Sequence, residues 1–229
     1  MATESNPTQR TSIALVAGLA LLASTGATAR TTALTDAARD ALKGQAVVLA
    51  AHKLPTFVAH TAGKAAFAVL GAAAMLSEGE RIVAENGVED PAVKFGHALL
   101  GDLVADDAAI AAPEATTLVD SDDPAKLAAA YPDSPYVLDV RTTMWNFGYY
   151  PLAWSLYRVL YGVRVKLVDA RAKRVVAEGS CTRYDSDEPH APTLDELLAN
   201  KAERLKAMLD VHAMACLDEL RRKVLGAKP

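Results

Sequence analysis

The aromatic residues are concentrated in one stretch of the sequence. Seven of the thirteen aromatic residues (two Trp, seven Tyr and four Phe) fall within residues 145–161. Trp and Tyr side chains dominate the binding energy of many protein–protein interfaces, and the loop Gly148–Trp154 is too apolar for an ordinary solvated turn. Two interpretations stay open: the loop is additional core, or it presents a partner-binding surface. The candidate partner-binding aromatic residues are Trp145, Phe147, Tyr149, Tyr150 and Trp154.

Basic side chains accompany these aromatic residues along the same predicted strands. Arg141, Arg158, Arg164 and Lys166 would share the polar face of a sheet. This face could bind an anionic ligand of the cell envelope, and we include Arg158, Arg164 and Lys166 among the candidate partner-binding residues. The alternative is a solvated face that pairs with Asp139 and Glu178 across strands.

We find no motif for catalysis, metal binding or nucleotide binding. Gly63-Lys64 lacks the earlier glycine and the following Ser or Thr of a phosphate loop, and the chain has no G-x-S-x-G elbow. Asp120, Asp122 and Asp123 directly precede Pro124, so a turn and helix cap explain them better than Ca²⁺ ligation. The histidines match no metal-ligand spacing: His52, His60, His97, His190 and His212. We therefore predict no catalytic residue, metal or cofactor.

The N-terminal segment has the pattern of a secretory signal peptide. Arg10 precedes the apolar run Ile13–Ala23, and small residues follow as far as Ala29. The run of eleven residues is shorter than the roughly 20 that span a bilayer. We predict cleavage between Ala29 and Arg30, with residues 1–29 removed; the alternative is a buried helix of a cytosolic protein. No cysteine follows the run for lipid attachment, so the predicted location is periplasmic or secreted.

The predicted export of the chain affects the expected oxidation state of its two cysteines. Thiols usually pair in an oxidising compartment, and Cys181 with Cys216 is the only intramolecular pairing available. The alternative is a reactive thiol, but no histidine stands at a suggestive spacing from either cysteine. We predict a structural disulfide.

Residues 61–79 form an Ala-rich apolar segment with Gly63, Gly71 and Gly79 eight residues apart. Small residues at helical spacing let backbones approach closely. The favoured interpretation is a packed core helix or hinge. The alternative is a segment for peripheral membrane contact or self-association.

The remaining pattern predicts one α+β domain over residues 30–229, with elements in the order β-α-β-α-β-β-β-α. Asp90-Pro91, Asp123-Pro124 and the capping box Thr193–Glu196 each begin a helix. Residues 136–147, 155–169 and 174–181 alternate as an antiparallel three-strand meander within a mixed sheet, which helices cover on one face. On the first strand, strict alternation places Val137, Asp139, Arg141 and Thr143 on one face and Leu138, Val140 and Met144 on the other. Other expected elements are a helix at 36–43, strands at 47–51 and 116–119, and a continuous last helix to about Leu225 whose inner stripe is Leu194, Leu198, Leu205, Leu209, His212, Cys216, Leu220 and Val224.

This element order resembles the periplasmic domain shared by the curli-secretion lipoprotein and the lipoprotein activators of penicillin-binding proteins. The resemblance covers roughly residues 45–225 and depends mainly on the strands at 136–169 and 174–181. The chain departs from those families because it lacks a lipobox cysteine and has an apparent insertion at 61–79. The resemblance implies a non-catalytic module that binds or assembles envelope proteins.

The leading hypothesis is therefore an exported envelope protein that acts by protein–protein contact, through Gly148–Trp154. The alternatives are a periplasmic hydrolase or small-ligand enzyme, and a membrane-associating protein that acts through residues 61–79. A net charge of -4 excludes nucleic-acid binding through a general positive field.

Overall fold

The computed structural model describes residues 31–61 and 68–226, which form an α+β fold around a mixed sheet. The helices are α1 (Asp36–Leu42), α2 (Ala68–Asn86), α3 (Pro91–Ala105), α4 (Pro124–Ala130) and α5 (Leu194–Leu220), with short helical turns at Glu188–His190 and Arg221–Leu225. The strands are β1 (Ala46–Leu49), β2 (Val58–His60), β3 (Ile110–Ala111), β4 (Tyr136–Tyr150), β5 (Ala153–Asp169) and β6 (Arg174–Tyr184). The predicted fold class is confirmed.

The sheet has the strand order β3-β1-β4-β5-β6, and β2 also pairs with β4. β4, β5 and β6 form the predicted antiparallel meander, whereas β1 and β2 run parallel to β4. The expected strand at 116–119 is wrong, because this segment contributes only the bridge between Ala51 and Leu118. The Tyr131 hydroxyl joins the two segments instead of further β-pairing. It accepts a hydrogen bond from the Ala51 N–H at 2.9 Å and donates one to the Thr117 carbonyl at 2.7 Å.

Most of the core lies between the meander and the helices α3 and α5. Val159, Tyr161, Val163 and Val165 point into it from β5, as the alternation predicts. The expectation that helices cover one face is incomplete. α4 packs on the opposite face, where Leu127 joins a second, smaller core cluster with Val137 and Val168.

A β-bulge corrects the predicted faces of β4. The register pairs Thr142 with Val163 but Met144 with Gly162, so one residue is inserted between these pairs. Met144 therefore shares the face of Arg141 and is 41% exposed, whereas the alternation placed it with Leu138 and Val140. Beyond the bulge, Trp145 and Phe147 point into the main core.

The last helix begins at the predicted capping box, in which the Thr193 hydroxyl and the Glu196 carboxylate each accept a backbone N–H. Its predicted continuity is wrong, because residues 200–202 have left-handed backbone angles. This interruption changes the inward face of the first turns: Leu197 is fully buried, and Leu194 and Leu198 are half-buried. From Leu205 onward the predicted stripe is buried.

Candidate functional site

A cleft opens where the pairing of β4 is interrupted. β1 pairs with β4 as far as Leu138, and β2 resumes the pairing at Asn146. Between these points residues 50–57 leave the strand edge, and a cavity of about 530 Å³ lies beside them. We call this cavity the β4 cleft; its other walls come from the start of α3 and from residues 111–115. Its position, next to the carboxyl ends of the parallel strands β1 and β3, is a usual place for ligands in parallel sheets.

A buried His–Asp pair fixes one end of the β4 cleft. His52 Nε2 lies 2.6 Å from the Asp139 carboxylate, and Nδ1 lies 2.8 Å from the Val119 carbonyl oxygen. Asp139 is fully buried. Because both ring nitrogens face oxygen atoms, neither is free to act as a general base in this geometry. The pair therefore holds residues 50–57 against β4.

This environment changes the pKa of His52. Burial lowers the pKa, but the hydrogen bonds to Asp139 and to the Val119 carbonyl outweigh burial, so the net shift is upward. A group whose pKa is higher in the folded state adds stability that is fully present below its unfolded pKa, about 6.5. That contribution is lost as the pH rises through the folded pKa.

We expect His52→Gln to remove this pH dependence. The free energy of unfolding of the wild-type protein should exceed that of His52→Gln by more at about pH 5.5 than at about pH 9. Denaturant unfolding at both pH values measures the two differences. His190→Gln is the matched control, because the His190 side chain is 82% exposed. This substitution should leave the free energy of unfolding almost unchanged at both pH values. Equal pH dependence in wild type and His52→Gln would contradict the expectation.

Asp90 lies at the opposite wall of the β4 cleft, at the start of α3. Its Oδ1 accepts the Ala92 N–H at 2.9 Å and the Thr142 hydroxyl at 2.5 Å. Burial raises the pKa of this carboxyl, against the lowering effect of these hydrogen bonds and of the positive charge of His52. Asp90 thus joins α3 to β4 while its second oxygen accepts no hydrogen bond from the described residues.

The structure separates the predicted aromatic residues into core and surface. Trp145, Phe147 and Tyr150 are buried, and the Tyr150 hydroxyl donates to the Asp185 carbonyl. Tyr149 is half-buried against the main core. Trp154 is 65% exposed at the tip of the β4–β5 hairpin, next to Leu152, which is 95% exposed.

An acidic loop pairs with most of the predicted basic stripe. Arg164 Nη1 and Lys166 Nζ each lie 2.8 Å from the same Asp122 oxygen. Arg141 lies 3.0 Å from Asp120. The expected ion pairs with Asp139 and Glu178 do not form, although both residues lie opposite Lys166 in the strand register.

Arg158 differs from the other basic residues. It forms no ion pair within the described part of the chain, and its guanidinium lies 5.5 Å from the Tyr150 ring centre and 5.8 Å from that of Tyr184. Such cation–π contacts orient the charge without neutralising it. Arg158 thus carries a positive charge that has no carboxylate partner among the described residues, and its Nε is buried without a hydrogen bond.

The sheet face around Arg158 is only partly covered: Leu156, Arg158 and Leu160 are half-buried there. The register places the apolar side chains on this side of β2, β4, β5 and β6, and Met144 and Tyr184 are 41% and 56% exposed. We call this the outer face; its residues are Val58, Met144, Leu156, Arg158, Leu160 and Tyr184. The exposed tip of the β4–β5 hairpin, Leu152 and Trp154, lies at the end of two of these strands.

The disulfide is confirmed. Cys181 on β6 is bonded to Cys216 on α5, with a Cα–Cα distance of 5.5 Å. It ties the last helix to the edge of the meander. The predicted cleavage site, Ala29 and Arg30, lies outside the described residues.

The structure also bears on the predictions about metal ions and about the apolar segment 61–79. Among residues 31–61 and 68–226, no group of His, Cys, Asp and Glu side chains is arranged to hold a metal ion. Within the same residues, no helix has the length and apolar character to cross a bilayer. Part of the apolar segment 61–79 lies outside the described residues; the part from Ala68 onward is helical and belongs to α2.

Sequence reasoning missed the β4 cleft. Asp90 was recognised only as a helix cap, and His52 carried no motif. The one available signal was a histidine directly after the buried run Val47–Ala51, at the point where a strand ends. Nothing in the local sequence identifies Asp139 as its partner, because the two residues are 87 positions apart.

Comparisons with known proteins identify no family. No protein-family model and no curated protein matches the chain. Among solved structures, it is similar to the PelC dodecamer from Paraburkholderia phytofirmans, with a TM-score of 0.40 and 14% identity, covering 86% of this chain and 97% of that one. It is also similar to lipoprotein GNA1162 from Neisseria meningitidis (TM-score 0.24, 18% identity, 62% and 83% coverage) and to hypothetical protein CT253 from Chlamydia trachomatis (TM-score 0.35, 10% identity, 80% and 99% coverage).

None of these three structures is named as a curli-secretion protein or as an activator of penicillin-binding proteins. Likeness at this level assigns no family, so the predicted resemblance stays a prediction. The function must be inferred from the chemistry of the chain's own surfaces.

Proposed function

We propose that this protein is an exported, non-catalytic envelope protein that binds a partner protein through its outer face and hairpin tip. The observation that carries the proposal is the exposure of Leu152 and Trp154, 95% and 65%, at the end of a hairpin whose other aromatic side chains mostly serve the core. Large apolar side chains clustered on a surface typically mark an interaction site. A Trp at such a site is a common centre of binding energy.

The outer face indicates what kind of partner surface would bind there. Arg158 stands among apolar side chains and carries a charge without a carboxylate partner in the described chain. Arg at the centre of an apolar patch is typical of protein interfaces, where a partner carboxylate completes it. The fitting partner therefore presents apolar side chains around an Asp or Glu.

The disulfide supports the exported location, because structural disulfides persist mainly outside the reducing cytosol. The signal-peptide pattern of residues 1–29 supports the same compartment. Peripheral membrane contact or self-association through residues 61–79 stays a separate prediction.

Site-specific photo-crosslinking in the host cell tests the proposal. A photoreactive amino acid at Tyr184, on the outer face, should capture a discrete partner. Adding Leu152→Ser and Trp154→Ala should reduce this product by about tenfold, because hot-spot side chains dominate interface energy. The free energy of unfolding should change by no more than about 0.5 kcal/mol, as for other exposed positions.

Val211→Ser with Met214→Ala is the matched control, because these α5 side chains are 66% and 53% exposed and lie outside the outer face. The control should leave the crosslinked product unchanged. The proposal is wrong if the product persists in the hairpin-tip variant, or if no product forms from Tyr184. Tyr150 is unsuitable for the test, because it is buried and its loss would alter stability.

A further inference from the structure

The β4 cleft has the size and walls of a small-molecule site. A volume of about 530 Å³ falls in the usual range for ligand pockets. Leu54 and Val93 line it and are 58% and 60% exposed, which places large apolar surfaces at its mouth. Leu49, Leu100 and Val140 extend the apolar wall inward. The cleft shares no residue with the outer face.

The carboxylates around the β4 cleft differ in whether the chain supplies them with a cation. Most of them are already matched: His52 with Asp139, and Arg141 with Asp120. His97 Nε2 lies 3.9 Å from Glu114 at the rim.

Asp90 is a carboxylate of the cleft that none of these pairs includes. No described Lys, Arg or His nitrogen lies within ion-pair distance of it, and only its Oδ1 is hydrogen-bonded. Asp90 is half-buried and lines the cleft. A charge-assisted hydrogen bond at such a position is stronger than in bulk water.

We propose that the β4 cleft binds a small organic monocation, an ammonium group on an apolar body, with the Asp90 carboxylate as its counter-ion. The ammonium donates to the free Asp90 oxygen, and the apolar body covers Leu54 and Val93. The ligand would thereby pair with the carboxylate that lacks a cation and cover the apolar side chains at the mouth of the cleft.

Calorimetric titration of the full chain tests this site with three probes of similar shape. 2-Phenylethylamine carries the ammonium, 2-phenylethanol is uncharged, and 3-phenylpropanoate is an anion. The amine should bind at one site and more tightly than the alcohol, and the anion should bind weakest. Asp90→Asn should weaken amine binding by about tenfold, the loss expected for one charge-assisted hydrogen bond, and should change alcohol binding less than about twofold.

The Asp90→Asn variant should keep the fold. Asn caps helices as well as Asp does, and its amide oxygen can still accept hydrogen bonds from the Ala92 N–H and the Thr142 hydroxyl. Glu89→Gln removes the same charge from the neighbouring residue, whose side chain is 77% exposed, and should leave binding unchanged. Equal binding of amine and alcohol, tighter binding of the anion, no saturable amine binding, or an unchanged affinity in Asp90→Asn would each overturn the proposal. Crosslinking from Tyr184 is independent of these results.

Discussion

Replacing both Cys181 and Cys216 with Ala is expected to lower the free energy of unfolding by about 3–4 kcal/mol. The bond joins residues 35 positions apart, and it anchors α5 to β6. Without it, the unfolded chain gains the entropy of an open loop, while the folded state keeps the rest of its core. Denaturant unfolding with and without a reducing agent measures the effect.

Two controls separate the bond from the packing of its sulfur atoms. The reducing agent should destabilise the wild-type protein and leave the double variant unchanged. Cys216 is fully buried and Cys181 nearly so, hence the double variant also loses some packing and should be at least as unstable as the reduced wild type. A loss below about 1 kcal/mol on reduction would contradict the loop-entropy account.

Gly79→Ala is expected to destabilise the protein by about 3 kcal/mol, the upper part of the usual range for overpacking. A Cβ at this position would lie 1.8 Å from the carbonyl oxygen of Phe57 and 2.7 Å from its carbonyl carbon. Both atoms are backbone, so the collision cannot be relieved by a change of rotamer. α2 must instead move away from the segment that leads into β2.

Gly101→Ala is the matched control for this substitution. Gly101 is also a helical glycine, but an added Cβ would meet nothing within 4 Å. It should therefore raise the free energy of unfolding by about 0.5–1 kcal/mol, since Ala favours the helix over Gly. Similar effects of the two substitutions on the denaturation midpoint would show that helix propensity, and not the contact with Phe57, determines the result.

The contact at Gly79 refines the interpretation of the small-residue segment. The spacing of Gly63, Gly71 and Gly79 predicted a close backbone approach, and Gly79 makes one. Its neighbour is the extended chain at Phe57 and not a second helix. Gly63 lies outside the described residues, so its role stays a prediction.

Signals that act over a few residues were predictable. The Asp90 and Asp123 carboxylates each accept N–H groups of the first helical turn, and Thr193 and Glu196 form the predicted capping box. The alternation of β5 placed Tyr161 and Val163 in the core correctly. The cysteine pairing was predictable because the sequence offers a single pair.

Interruptions of regular pattern were not predictable. The bulge between Thr142 and Met144 changes which face Trp145 and Phe147 occupy. Gly162 lies opposite it on β5, but nothing in the local sequence of β4 marks the position. The left-handed residues 200–202 of α5 are Asn, Lys and Ala, of which only Asn favours that conformation. In both cases packing against distant elements decides the backbone.

The helix caps, the meander, the disulfide and an apolar aromatic hairpin could all be predicted from the sequence. These depend on residue types within a few positions, on strand periodicity or on elimination. Tertiary contacts were needed to establish which aromatic side chains are exposed, that Asp122 pairs with Arg164 and Lys166, and that His52 contacts Asp139 beside an open cleft. The last two outcomes depend on contacts between residues 40 or more positions apart, because the partner of a side chain is set by the elements packed against it.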